Sequence, residues 1–295
     1  MGTVDHRGHA YHLHPPGEAV SDCVRKGAYE IGEMNVLESC VQKGMVTLDV
    51  GANIGTHTLE MARLVGPEGL VISVEPDPTN YKLLQRNVVE NGYANVWTIR
   101  AALGDRCGET ELWLDSGGNL GDHRTWECNG THTRKIKVRQ LTLDALMGRL
   151  GLPLDFIKVD VQGMEGKVLA GGMESLKAVG SGGLLMEFWF KGIQAVGNTW
   201  QEIDGWLHEA GYDRTYAVDE RLNDLIDMNW CGGLKSFFDG RMKIINNAGV
   251  EVPNDFVLVN LLFTKRVEIL PLEAMPPGHP QNKYKAKGAD LVVSL

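Results

Sequence analysis

The stretch MVTLDVGANIGTHTLE, Met45 to Glu60, decides the fold. Its opening half is apolar and rich in β-branched residues, stops at a cluster where Gly51 and Gly55 bracket Asn53, and then turns to a helical pattern. Strand, tight turn and helix follow from that order. Glycine at the joint lets the backbone take conformations closed to other residues and lets a ligand come close to the main chain. The helix begins with unpaired N–H groups and a partial positive charge, which suit a carboxylate or a phosphate.

The flanking residues choose between ligands. A dinucleotide fingerprint reads G-x-G-x-x-G, whereas here Asp49 precedes Gly51, Asn53 and Gly55. A carboxylate on the turn repels phosphate and accepts from an ammonium or a hydroxyl. A second apolar run, Leu70 to Val74, ends in Glu75-Pro76 and places an acid at a strand tip. Such an acid accepts hydrogen bonds from both ribose hydroxyls of a nucleoside. An amino-acid head and a ribose with no phosphate between them describe S-adenosylmethionine.

Five motifs in order extend this reading: D-V-G-A-N-I-G at 49–55, V-E-P-D-P-T-N-Y at 74–81, A-L-G-D at 102–105, L-T-L-D at 141–144 and I-K-V-D-V-Q-G-M-E at 157–165. The set resembles that of the FkbM-type S-adenosylmethionine-dependent methyltransferases over residues 45 to 218. Gln162 departs from the pattern, since the family more often carries an acid there. The resemblance implies a Rossmann-like class I methyltransferase fold, an α/β architecture of seven mostly parallel strands with helices on both faces and the last strand antiparallel. It also implies S-adenosyl-L-methionine as cofactor and a small-molecule hydroxyl, on a sugar or natural product, as acceptor.

Composition narrows the alternatives. A chain of 295 residues buries a full core without staples. A net charge of −9 opposes a nucleic-acid partner, because phosphate contacts need a basic face. The five cysteines, Cys23, Cys40, Cys107, Cys128 and Cys231, show no C-x-x-C spacing, so neither a zinc site nor a disulfide framework is expected, and no metal is assigned. No signal peptide or membrane-spanning run is visible, and a cytoplasmic location is expected.

Along the chain, residues 1–30 read as a polar arm in which His6, His9, His12 and His14 are solvated. The methyltransferase domain is expected over 31–265, with a polar loop at 116–134 that could close over substrate, an irregular insertion at 219–254 and a tail at 266–295. A helix from Ile31 to Val41 leads into the first strand, and Asn95 to Leu103 reads as the third strand. Cofactor contacts are expected from Asp49, Gly51, Asn53, Gly55, Glu75, Pro76, Leu103, Asp105 and Asp160, all at or near strand ends. Methyl transfer to an alcohol needs a base for the departing proton, and His123, Asp160 and His57 are the candidates. Asp160 stays open between base and cofactor contact. Glu187, inside the apolar run LLMEFWF, must be paired, protonated or cavity-facing. Trp113, Trp126, Trp189 and Trp200 either frame an acceptor pocket or pack in the core. Two rivals remain at this stage: a non-catalytic cofactor-binding scaffold of the same fold, and a nicotinamide-dependent oxidoreductase, which the missing glycine fingerprint opposes.

Overall fold

A computed structural model of the chain describes residues 3–127, 130–180, 182–219, 224–228, 242–245, 251–252, 258–265 and 291–294. The elements run Val4–His6 (β1), His9–Tyr11 (β2), Ala19–Arg25 (α1), Ile31–Cys40 (α2), Val46–Val50 (β3), Thr56–Val65 (α3), Leu70–Val74 (β4), Pro78–Glu90 (α4), Val96–Ile99 (β5) and Ala102–Leu103 (β6). They continue as Gly108–Asp115 (β7), His132–Leu141 (β8), Leu143–Leu150 (α5), Phe156–Val159 (β9), Glu165–Ala170 (α6), Met173–Ala178 (α7), Gly183–Trp189 (β10), Phe190–Ala195 (α8) and Trp200–Glu209 (α9). Arg214–Asp219 (β11), Asp224–Asp227 (β12), Met242–Ile245 (β13), Glu251–Val252 (β14), Leu258–Thr264 (β15) and Leu291–Ser294 (β16) complete the order.

The central sheet runs β12-β11-β15-β10-β9-β3-β4-β5. Strands β5, β4, β3, β9 and β10 are mutually parallel, and β15 is antiparallel to both its neighbours, β10 and β11. Seven of these eight strands match the expected set; β12 adds an eighth by hairpinning on the edge strand β11. Strand alternation divides the core. Leu48, Val50, Ile157, Val159, Leu184, Met186 and Phe188 point to one face, with α5, α6, α7 and α9 over them. Phe156 and Leu185 point to the other, where Met34 and Leu37 of α2 and Met61 and Val65 of α3 cover them. The chain leaves β3 toward β4 and β5 and returns to β9 and β10 on the other side, so strand order reverses between β3 and β9. Ligands of open α/β sheets sit beyond the carboxyl ends of the strands at that point.

Three expectations are corrected. The third strand is not continuous: β5 ends at Ile99, and β6 leaves the sheet to pair in parallel with β8. Phe190, read as the end of a strand, begins the short helix α8. Most directly, the N-terminal histidines are not solvated. His6, His9, His12 and His14 are all buried, because β1 and β2 form a hairpin that lies along α4. That helix and the turn after it supply partners for three of the four. His9 Nε2 meets the Tyr93 hydroxyl at 2.8 Å, His12 Nε2 meets Glu90 at 2.9 Å, and His14 Nε2 meets Asn80 Oδ1 at 2.8 Å. The irregular insertion at 219–254 and the tail at 266–295 lie largely outside the described residues. Among those described, no helix is long and apolar enough to cross a membrane.

Asn87 is the tie. Fully buried, it accepts from the His12 N–H at 2.7 Å and donates to the carbonyls of Ile54 at 2.8 Å and His12 at 3.2 Å. Asn87→Ala strands these groups and should cost about 2–5 kcal/mol, read by urea unfolding. A loss below about 0.5 kcal/mol would show that the hairpin is not held there.

Candidate active site

A cavity of about 310 Å³ opens at the β3–β9 reversal. Its floor is the Gly51 turn. Gly51 takes a left-handed φ of +82°, and a Cβ there would overlap the Asp160 carbonyl oxygen, so the tips of β3 and β9 close together only over glycine. Among the described residues four non-glycines have left-handed φ, and three of them, Glu30, Asn53 and Gln162, line this cavity. Backbone strain gathers at functional sites, which marks the cavity as one.

At the β4 end, Glu75 accepts the Asn53 N–H on Oε2 and the Asp77 N–H on Oε1, both at 2.8 Å. Each oxygen keeps a lone pair for a hydroxyl. Burial pushes this carboxyl up to about 8, while the two N–H groups pull it down and Asp77 and Asp49 push it further. Pro76 follows, and Asp77 caps α4 by accepting from Thr79 and Asn80, 2.8 Å each. Val74, Ala101, Ala102, Leu103 and Leu112 give an apolar wall suited to a flat base. Over the top come α1, through Ala19, Val20 and Cys23, and the polar loop, through Asn119, Leu120, Gly121, His123 and Thr125. Glu18 joins the two by accepting from the Leu120 N–H as well as from the first turn of α1.

At the β9–β10 end the walls are charged. Lys158, 4% exposed, reaches Asp160 Oδ2 at 3.1 Å. Burial alone would lower its pKa, but Asp160, Asp49, Glu30 and Glu33 outweigh burial and hold it above the ordinary lysine value. Burial likewise opposes ionisation of Asp160, yet Lys158 and Gln162 win and keep its pKa low. Gln162 Nε2 bridges Asp160 Oδ1 at 2.8 Å and Glu187 Oε2 at 2.9 Å. Glu187 moves the other way: burial first, then Asp160, Glu165, Glu30 and Glu33, raise it well above the ordinary carboxyl value. Glu165, raised to about 7 by burial, fixes the bridging turn by accepting the Val161 and Gly163 N–H groups at 3.1 Å.

Of the residues singled out from sequence, Gly51, Asn53, Glu75, Pro76, Leu103, Asp160, His57, His123 and Glu187 come together on this cavity. Asp49, Gly55 and Asp105 do not line it. Strand alternation sends Asp49 beneath α3, where Oδ2 accepts from the Thr58 hydroxyl at 2.6 Å. Gly55, with φ of +96°, serves helix packing, since a Cβ there would stand 2.7 Å from Leu84 Cδ1. Asp105 turns outward to Lys167 at 3.4 Å. None of the four tryptophans lines the cavity; Trp126 and Trp189 enclose the Arg124 guanidinium nearby. His123 is placed at the cavity but not as a base. Its Nδ1 accepts the Asp115 N–H at 3.0 Å, so the neutral ring carries its proton on Nε2 and presents a donor.

Lys158, Glu30 and Glu33 were missed in the sequence. Lys158 sits two residues before Asp160 and so shares its face of the strand, and the three-residue spacing of Glu30 and Glu33 puts both on one side of the start of α2.

The residues present fit S-adenosyl-L-methionine. Glu75 would accept from ribose hydroxyls, the apolar wall would take adenine, and the first turn of α3, which lacks a side-chain cap, would take a carboxylate. Asn53 Oδ1, buried without a partner, and the carboxylates around Asp160 would take an ammonium and a sulfonium. No glycine fingerprint for a pyrophosphate is present. A mostly parallel sheet with this cavity at its reversal point is the Rossmann-like fold of the class I methyltransferases. The chain belongs to the FkbM methyltransferase family, whose domain model, described as "Methyltransferase FkbM domain", matches residues 49–214.

Among curated relatives, the chain is 29% identical over 147 residues to the 2-O-methyltransferase NoeI of Sinorhizobium fredii, covering 44% of this chain and 58% of that one. It is 43% identical over 65 residues to a protein-L-isoaspartate O-methyltransferase of Methanothrix thermoacetophila, covering 22% and 30%. The chain thus spans under two thirds of the length of these relatives. Among solved structures it is similar to an FkbM methyltransferase from Methylobacillus flagellatus, with 13% identity, 76% of this chain and 43% of that one covered and a TM-score of 0.43. It is also similar to Aeropyrum pernix fibrillarin, with 14% identity, 79% and 73% covered and a TM-score of 0.42.

Glu75 gives a pH test. Its carboxyl binds a proton in the folded, cofactor-free chain up to about pH 8 but only to about 4.5 when unfolded. Its contribution to stability is therefore full at and below pH 4.5 and declines as pH rises to 8. Glu75→Gln should remove that decline in denaturation series between pH 5 and 8. It should also weaken S-adenosylhomocysteine binding about 10- to 100-fold, because the amide cannot accept on both sides. Unchanged affinity would remove Glu75 from the ribose site.

Proposed function

We propose that the chain is a methyltransferase that moves a methyl group from S-adenosyl-L-methionine to a hydroxyl oxygen of a small molecule. Bound, the cofactor supplies a methyl on a sulfonium centre, already activated for displacement. The chain's task is then to hold the acceptor in line and to take one proton. Glu75 and the Ala101–Leu103 wall hold the nucleoside. Asp160, kept ionised by Lys158 and Gln162, faces the positive end of the cofactor. Its low pKa makes it a poor proton acceptor, which assigns it to binding.

Glu187 is the base in this reading. It lines the same end of the cavity, and burial beside Asp160 gives it a higher proton affinity than an ordinary carboxylate. That single feature, a buried carboxyl poised beside the ionised Asp160, carries the assignment. Oxygen as the acceptor atom is supported by NoeI, named a 2-O-methyltransferase. A small acceptor is supported by the roof that α1 and the polar loop lay over the cavity, and the net charge of −9 opposes nucleic acid.

A screen of hydroxyl metabolites read by product mass tests the activity; no methylated product across the set, despite cofactor binding, would sink it. On the acceptor found, Glu187→Gln should lower kcat by about 10²- to 10⁴-fold with cofactor affinity kept. Wild-type kcat should fall as pH drops below the raised Glu187 pKa, and the variant should lose that limb. His123→Ala should cost less than about tenfold. The reverse ranking would make the histidine the base.

A further inference from the structure

Next to Glu187, and outside the roles given so far, three side chains converge on one point. His57, in the first turn of α3, sets Nε2 3.2 Å from Glu30 Oε2 and 3.2 Å from Glu33 Oε2. The three ligand atoms all lie within 4.8 Å of one another. Glu33 and His57 are buried, and Glu30 and His57 face the cavity. One N–H cannot serve two carboxylates well. Glu30 Oε2 is in fact buried without a hydrogen-bond partner, while its residue holds a left-handed φ of 42° at the start of α2.

Charge points the same way. Around His57 stand Asp49, Asp160, Glu30 and Glu33, and Glu187 faces the two glutamates. Lys158 is the ammonium among them. Tyr29, whose ring lies 6.1 Å from that of His57, closes one side without charge. Five carboxyls crowd one lysine, and a divalent ion would relieve their mutual repulsion. The two separations of 3.2 Å from His57 Nε2 agree, since ligands about 2.1 Å from a common ion lie about 3.0–3.4 Å apart.

We infer that Glu30, Glu33 and His57 form a divalent-cation site at the acceptor end of the cavity. One imidazole nitrogen and two carboxylate oxygens suit manganese, iron, cobalt or zinc better than magnesium or calcium. Three protein ligands leave positions open toward the cavity, where an acceptor offering two neighbouring oxygens would dock. That last role rests on the proposed methyl transfer to oxygen; the ion site does not.

The test uses manganese(II) alone on the chelator-stripped full chain, by calorimetry and by pulsed electron resonance. One ion per chain is expected, with a nitrogen coupling from a single imidazole. Glu33→Gln and His57→Gln should each weaken it at least about tenfold, and His57→Gln should erase the coupling, while Glu111→Gln, on the surface, changes neither. S-adenosylhomocysteine binding, measured in parallel, reports whether the variants are folded and whether the cofactor reading stands by itself. No manganese binding to the wild-type chain, no nitrogen coupling, or binding indifferent to both variants would overturn the site.

Discussion

The contact between the Gly51 turn and the Asp160 carbonyl is the constraint on which the site depends. Two parallel strands that part company in sequence meet there with no room for a side chain. Because their tips are pressed together, the first turn of α3, the Glu75 carboxylate and the β9–β10 acids face one cavity. The Asp160 N–H donating to the Val50 carbonyl at 3.0 Å continues the sheet to that edge. A larger residue at position 51 would part the strands and separate the ribose end from the charged end.

Charge is then sorted along the cavity by strand order. At β4 a single acid, satisfied by two backbone N–H groups, offers spare lone pairs to hydroxyls. At β9 and β10 acids outnumber cations, and their pKa values separate. Lys158 and Gln162 favour ionised Asp160, whereas Glu187 gains one amide bond and four carboxylate neighbours. Two carboxyls in one place are thus shifted in opposite directions by their surroundings, Asp160 toward the ionised form and Glu187 toward the protonated one. Gln162 serves both, which gives a physical role to the position where the sequence departs from the family pattern.

The mostly parallel sheet and the gathering of strand-end residues on one cavity were legible because they rest on local signals: apolar runs ending in Gly-rich or acidic tips. Glu75 and Gly51 are of this kind. What stayed hidden depends on contacts distant in sequence. The N-terminal histidines look solvated until Asn80 and Asn87 of α4 are seen as the partners that His14 and His12 lie against. The place of Asp49 before the turn is visible in the sequence, but the side to which its carboxylate points depends on strand register. His123 shows the same limit, since the backbone N–H that fixes its tautomer lies eight residues away across a turn.

The cavity's walls suit a sulfonium nucleoside and not a pyrophosphate. Calorimetry of the full chain with S-adenosylhomocysteine, repeated in the presence of excess NAD, measures this directly. The account predicts saturable one-to-one binding that NAD leaves unchanged. Failure to bind S-adenosylhomocysteine, or its displacement by NAD, would contradict it.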